Sequence, residues 1–322
     1  MIISKTPFRI SFFGGGSDFP DFFNKHTSTI ISSTINKFCY TSLKKQLILD
    51  KTKFKFSYSI IDNVDNIKDI EHPVIRACLK YFNVNDPLEI HYDADLPGKS
   101  GIGSSSSFTI GLLHTLNTFY NKSVSTKQLA ETAVHIERDI LKENVGFQDQ
   151  YAAAFGGLNK IVFSEHGVEV EKLSQKMKSL INDYLVLFYY PKPRFSSEIQ
   201  SVHIKNMEEN TNKLLQMNEI SLSALDAVKN SDIITFSKLL DKTWNLKKSL
   251  NDKISNNAIN SIYEKAIDNG ALGGKISGAG GGGFLYFLCP PEHQMKMINS
   301  ITEVQYIDCK LNDKGSEIIY ER

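Results

Sequence analysis

The chain has 322 residues, 41% of them hydrophobic, with 37 basic and 36 acidic side chains and a net charge of +1. That length suffices for two domains with their own cores, and the near-zero charge excludes a general electrostatic pull on nucleic acid or membrane surfaces. No apolar run approaches the roughly 18 residues of a bilayer span, MIISKTPFRISFF lacks the features of a secretory signal, and Cys39, Cys78, Cys289 and Cys309 are too dispersed for a metal pair, so a reduced, cytoplasmic protein is expected.

Residues 1–60 read as β-rich. FRISFF is a strand that empties into Gly14-Gly15-Gly16, with a short helix expected around 20–24. Apolar residues recur from Ser28 to Ser42, and Phe54, Phe56 and Tyr58 alternate with Lys53, Lys55 and Ser57 as in a half-buried strand. EHPVIRACLKYF at 71–82 predicts a helix with Pro73 in its first turn.

The run from Leu88 to Tyr120 organises the rest. Residues 88–94 form a strand that Pro97 ends, and Gly98, Gly101 and Gly103 precede four serines, Ser104 to Ser107. Phe108, Leu112, Leu116 and Phe119 then recur at helical spacing. Glycines let the backbone approach a ligand closely, and a helix start offers unpaired N–H groups and a positive dipole end. Strand, glycine loop and helix thus predict a phosphate cradle, with serine hydroxyls at hand for phosphate or magnesium. It is not the loop G-x-x-x-x-G-K-S/T, because Asp93 stands where the first glycine should be.

Ser125 and Gln128 form a capping box ahead of a helix with Leu129, Ala133, Ile136 and Ile140 on its apolar face. Asp149 opens a second helical stretch that ends at Gly156-Gly157, and 158–174 alternate as a hairpin. A linker near 172–182 divides the chain into 1–176 and 177–322. DYLVLFYYP is then a buried strand, and the next 80 or so residues are mainly helical, with Trp244 read as packing. KISGAGGGG leads into the strand GFLYFLC, followed by a helix near 291–301 and a strand near 303–309. The eight histidines form no metal or triad pattern. Strands and helices mixed in two halves imply an α+β protein.

Three glycine-rich segments now stand in order: PFRISFFGGGSDFPDFF at 7–23, PGKSGIGSSSS at 97–107 and KISGAGGGGFLYFL at 275–288. Their order and spacing resemble the three motifs of the GHMP kinase superfamily, which includes galactokinase and mevalonate kinase. Pro97, Gly101, Ile102, Gly103, Ser104 and Ser105 fit its central pattern P-x-x-x-G-L/I-G-S-S. Within the superfamily, FGGGSDFPDFF resembles the bacterial D-glycero-D-manno-heptose 7-phosphate kinases. The resemblance implies a two-domain fold. The N-terminal domain would be like ribosomal protein S5 domain 2, the C-terminal one ferredoxin-like, with the site between them. It also implies ATP with Mg2+ as cofactor and a small-molecule sugar phosphate as acceptor, with no nucleic-acid or membrane partner, in a monomer or homodimer.

Residue by residue, the resemblance places ATP phosphates on Gly98, Lys99, Ser100, Gly101, Ile102, Gly103, Ser104, Ser105 and Ser106. Lys99 reads equally as a solvated loop lysine. Ser105 and Glu137 would hold Mg2+, because Glu137 lies twelve positions before Asp149 as in the galactokinase branch. A surface ion pair of Glu137 with Arg138 or Lys142 is the competing reading. Asp149, in GFQDQYAA, resembles the aspartate of G-I-M-D-Q that faces the reacting hydroxyl, and Arg9 matches the arginine beside it. A helix cap and a surface arginine are the plainer alternatives. The resemblance places substrate on Gly15, Gly16, Ser17 and Asp18, and on Gly280 and Gly281 of the third motif, which in the family closes over the nucleotide from the second domain; a purely structural glycine turn is the alternative for that segment. Arg194, in PKPRFSS with Lys192, Ser196 and Ser197, is a candidate for the substrate's own phosphate or an exposed basic loop. The galactokinase branch has Glu and His where this chain has Gly15 and Gly16, so a wider pocket with free backbone N–H groups is expected, suited to a sugar phosphate. Rival readings are another acceptor (fucose, galactose, a uronic acid or mevalonate) and an inactive nucleotide-binding relative.

Overall fold

The computed structural model describes residues 1–47, 52–191 and 196–322. The first half builds β1 (Ile2–Phe13), β2 (Ser28–Lys45), β3 (Phe54–Ser57), β4 (Ile61–Val64), β5 (Leu88–Ala94), β6 (Leu158–Ser164) and β7 (Gly167–Lys172) into one sheet. Neighbours are antiparallel except β3 and β5, which run parallel. The second half builds an antiparallel sheet from β8 (Leu185–Tyr190), β9 (Gly273–Ile276), β10 (Gly283–Leu288) and β11 (Gln305–Ile307), in the order β11-β8-β10-β9. The chain then returns to the first sheet, where β12 (Glu317–Glu321) pairs with β1. The architecture is α+β in two halves, as expected.

β1 explains why periodicity fades near the site. From Thr6 to Phe13 every residue is buried, because the helix Ser104–Phe119 and the helices Thr211–Asn230 and Ile233–Lys248 all pack against this strand. A strand covered on both faces reads as a continuous apolar run. Phe8, Ile10, Phe12 and Phe13 share one core cluster with Phe236, Leu240, Phe284 and Tyr286 of the second half. The two halves are therefore joined through a common apolar core. Trp244 is fully buried in a third cluster, against Tyr263, as its packing role predicts.

Three sequence expectations are corrected. The segment read as a linker is the helix Gln175–Tyr184, capped by Ser174 and buried through Met177 and Ile181. A cut at 176/177 falls inside this helix and separates β12 from its sheet. Strand pairing across 300 residues leaves no local signal that would have shown this. Ile140 does not join the apolar face. The capping box forms, with Gln128 N–H donating to Ser125 Oγ at 3.2 Å, but the helix Thr126–Val134 opens into a π turn over His135–Ile140. That wider turn carries Ile140 to the surface and turns Glu137 inward. The four serines also do not precede their helix: it begins at Ser104.

Candidate active site

A cavity of about 200 Å³ lies between the two halves. Its floor is the start of the helix Ser104–Phe119, where Ser104, Ser105 and Ser106 face the space with Lys99, Gly101 and Gly103. Gly103 caps the helix in the left-handed region at φ 72°. A Cβ there would stand 3.2 Å from Arg9 and 3.3 Å from Asp149 Oδ2, so glycine serves both the turn and the approach. The first-turn N–H groups and the helix dipole suit an anion.

The second half laces onto this floor. Ser277 Oγ donates to Gly101 O at 2.8 Å, Phe284 N–H donates to Ser100 O at 3.1 Å, and Gly278 lies against the Gly101 backbone. Gly278 and Ala279 line the cavity. Gly280 and Gly281 do not: they turn away onto Ile254, whose carbonyl accepts from Gly281 N–H at 2.9 Å. Their expected substrate role has no support in the geometry.

Arg9 reaches across from β1 to Asp149. Nε donates to Oδ1 at 2.7 Å and Nη2 to Oδ2 at 2.6 Å, a two-pronged pair. Nη1 donates to Gly101 O at 2.6 Å, tying the pair to the cradle. Arg9 is buried and Asp149 faces the cavity. Neither the surface-arginine nor the helix-cap alternative describes them.

Glu137 is fully buried, which removes the surface ion pair. Its oxygens accept from Ser106 Oγ at 2.9 Å, Thr109 Oγ1 at 2.6 Å and Gln150 Nε2 at 2.5 Å. Burial pushes its carboxyl up to about 7 in spite of those three donors. The serine in contact with Glu137 is thus Ser106, not Ser105, which is exposed at the cavity one residue earlier. Residues 106 and 109 share a helix face, and that face meets the π turn. Ser106 lines the cavity and touches Glu137, so a hard-oxygen pair at the edge of an anion cradle is present, which fits Mg2+.

The remaining predicted residues divide clearly. Asp18 lines the cavity and is buried, and that burial raises its carboxyl above the usual range, with the Asp149 charge adding to the effect. Gly15 and Gly16 line the cavity. The space beside Gly16 is filled by His203, whose Nε2 bonds Gly16 O at 2.7 Å, and Gly16 N–H donates to Asp18 Oδ1 at 3.2 Å. The expected opening therefore exists on the Gly15 side alone. Ser17 points into its own turn, donating to Gly14 O at 2.8 Å. Ile102 is core, Ser100 donates to Pro97 O, and Gly98 is an exposed loop residue. Lys192 and Arg194 lie outside the described residues.

Sequence reasoning missed Gln148, His203 and Lys247, which also line the cavity. Gln148 sits beside Asp149 in GFQDQYAA, so its place in the motif is the local signal for it. His203 and Lys247 come from helices Ser196–Lys205 and Ile233–Lys248, where nothing local marks them.

A cradle for phosphates beside a carboxylate held ready for an alcohol suits phosphoryl transfer from a nucleotide. The fold and cleft define a two-domain ATP-dependent kinase. Residues 70–157 match the family model of the GHMP kinases N terminal domain, and 224–306 match that of the GHMP kinases C terminal. The chain belongs to the GHMP kinase family. It is 30% identical to a D-glycero-alpha-D-manno-heptose 7-phosphate kinase of Campylobacter jejuni, over 94% of each chain. It is 26% identical to an L-fucokinase/L-fucose-1-P guanylyltransferase of Bacteroides fragilis, over 77% of this chain and 28% of that one. In fold it is similar to a D-glycero-D-manno-heptose 1-phosphate kinase from Bacteroides thetaiotaomicron, with a TM-score of 0.81, 21% identity and full coverage of both chains. No helix among the described residues is long and apolar enough to cross a membrane.

Proposed function

We propose that the protein transfers the γ-phosphoryl group of ATP to the anomeric C1 hydroxyl of D-glycero-D-manno-heptose 7-phosphate, giving the 1,7-bisphosphate for nucleotide-activated heptose and surface polysaccharide. The observation that carries the reading is the Arg9–Asp149 pair at the rim of the helix N-terminus. Heptose specificity draws on the Campylobacter jejuni relative.

The cradle from Lys99 to Ser106 holds the β- and γ-phosphates through backbone N–H groups and hydroxyls. Ser105, Ser106 and Glu137 would hold Mg2+, which would supply neutralisation of the phosphate charge there. Asp149 orients the acceptor hydroxyl and takes its proton as the oxygen–phosphorus bond forms and the bridging bond to ADP breaks. Arg9 keeps Asp149 in line and offers positive charge close to the transferring group. Asp18 accepts from sugar hydroxyls.

The test is ADP release with MgATP on a panel of heptose 7-phosphate, free heptose, fucose, galactose, mannose and mevalonate. Strong turnover confined to the 7-phosphate is expected. Faster turnover of a free sugar would overturn the acceptor but keep the kinase. The likeness to the fucokinase makes fucose the specific rival. Tight nucleotide binding with no turnover of any panel member would favour an inactive relative.

A further inference from the structure

Gln148 immediately precedes Asp149 and lines the same cavity while only 9% exposed. Its backbone N–H donates to Asp18 Oδ2 at 3.1 Å, and its side-chain Nε2 donates to Asp18 Oδ1 at 3.4 Å. Gly16 N–H donates to the same Oδ1 at 3.2 Å. Asp18 is thus ringed by donors and acts as an acceptor, which fixes the amide with its NH2 end towards the carboxylate. Oε1 is left as the other end. It is buried, and among the described residues it has no hydrogen-bond partner. A buried carbonyl oxygen without a donor is costly, and at a binding site it marks the place of a ligand donor.

The same corner holds a second orphan. Ser11 Oγ is buried with no hydrogen-bond partner among the described residues, 3.3 Å from where a Cβ on Gly15 would stand, and Gln148 Nε2 is 3.7 Å from that point. The missing Gly15 side chain keeps this corner open. Its acceptors, Asp18 and Gln148 Oε1, suit hydroxyl donors and repel a phosphate. The distal phosphate of the acceptor therefore belongs on another wall.

We infer that Gln148 is a specificity residue whose Oε1 accepts a hydrogen bond from the sugar hydroxyl vicinal to the one being phosphorylated. The inference rests on the sugar-kinase reading above. Asp149 positions the reacting hydroxyl, and the neighbouring residue reads the neighbouring hydroxyl. A site with a buried acceptor rejects an analogue that lacks the donor, because the acceptor is then stranded.

The experiment compares wild type with Gln148→Met, which keeps side-chain length and volume but removes the acceptor. Each is assayed on heptose 7-phosphate and its 2-deoxy analogue, and on mannose, galactose and their 2-deoxy forms, so that any accepted sugar serves as the probe. Wild type should prefer the hydroxylated sugar by roughly thirtyfold or more, and Gln148→Met should bring that ratio within about threefold, with KM for ATP unchanged. A purely structural role would lower both rates together and leave the ratio intact, which would overturn the inference. So would a wild type that turns over both forms equally. If a free sugar but not the heptose phosphate is accepted, the proposed substrate fails while the ratio still decides Gln148. If no sugar is turned over, both fail.

Discussion

Arg9 and Asp149 lie 140 positions apart, yet they meet through two parallel hydrogen bonds of 2.7 and 2.6 Å. The pair fixes the carboxylate on the side that faces the cradle, and the third guanidinium contact, to Gly101 O, fixes the cradle to the pair. One side chain thus couples the phosphate floor to the carboxylate that orients the acceptor.

Arg9→Lys keeps the charge and loses the fork, since a lysine cannot donate two parallel bonds from a planar group. Its kcat should fall by roughly 10²-fold or more, and Asp149→Asn should fall by a similar factor. Steady-state kinetics with ATP varied at saturating sugar checks this. Wild-type kcat in Arg9→Lys would show that positive charge alone suffices.

Gly146 has no room for a side chain, because a Cβ there would stand 1.9 Å from Asp18 Oδ2. Gly146→Ala must push that carboxylate from its place in the sugar corner. KM for the sugar should rise about tenfold or more, while KM for ATP, bound at the helix start, should stay within about twofold. Equal rises in both would place Asp18 in the nucleotide site.

Glu137→Gln separates stability from catalysis. Holding an ionised carboxyl at a fully buried position is costly, and a neutral amide of the same shape avoids that cost. In chelator the variant should melt at or above the wild-type temperature. In activity assays it should need at least roughly tenfold more Mg2+, because one hard anionic ligand is gone. An unchanged Mg2+ requirement would remove Glu137 from the metal site.

Lys275 is fully buried under β1, and its Nζ donates to Phe12 O at 3.2 Å. Burial, with the Lys247 and Arg9 charges nearby, holds its pKa well below the usual 10.5. The folded state therefore binds fewer protons here than the unfolded chain, and wild-type stability climbs as pH rises from the folded value towards 10.5. Lys275→Met removes that dependence. It should melt higher than wild type near neutral pH, by the equivalent of about 1–3 kcal/mol, with the gap closing as pH approaches 10.5. A gap that widens with pH would contradict the assignment.

The parts whose physics is local are legible in the amino-acid chain alone. The glycine turn that caps the helix Ser104–Phe119, a capping box at Ser125 and the alternation of Phe54 and Phe56 each act over a few residues, and each stands in the structure. The family pattern added Arg9 and Asp149 as partners, and the two side chains are in contact. Tertiary structure decided what depends on two distant segments meeting. Glu137 is buried because a π turn rotates it onto Ser106 and Thr109, where a regular helix would have carried on the apolar stripe to Ile140. Gly280 and Gly281 leave the cavity because Ile254 packs there, and β12 crosses back to β1 from the far end of the chain. His203 and Lys247 gained their places only when the second half packed on the first. Such contacts are set by shape across a shared apolar core, and no short stretch of sequence records which helix face the other half will meet.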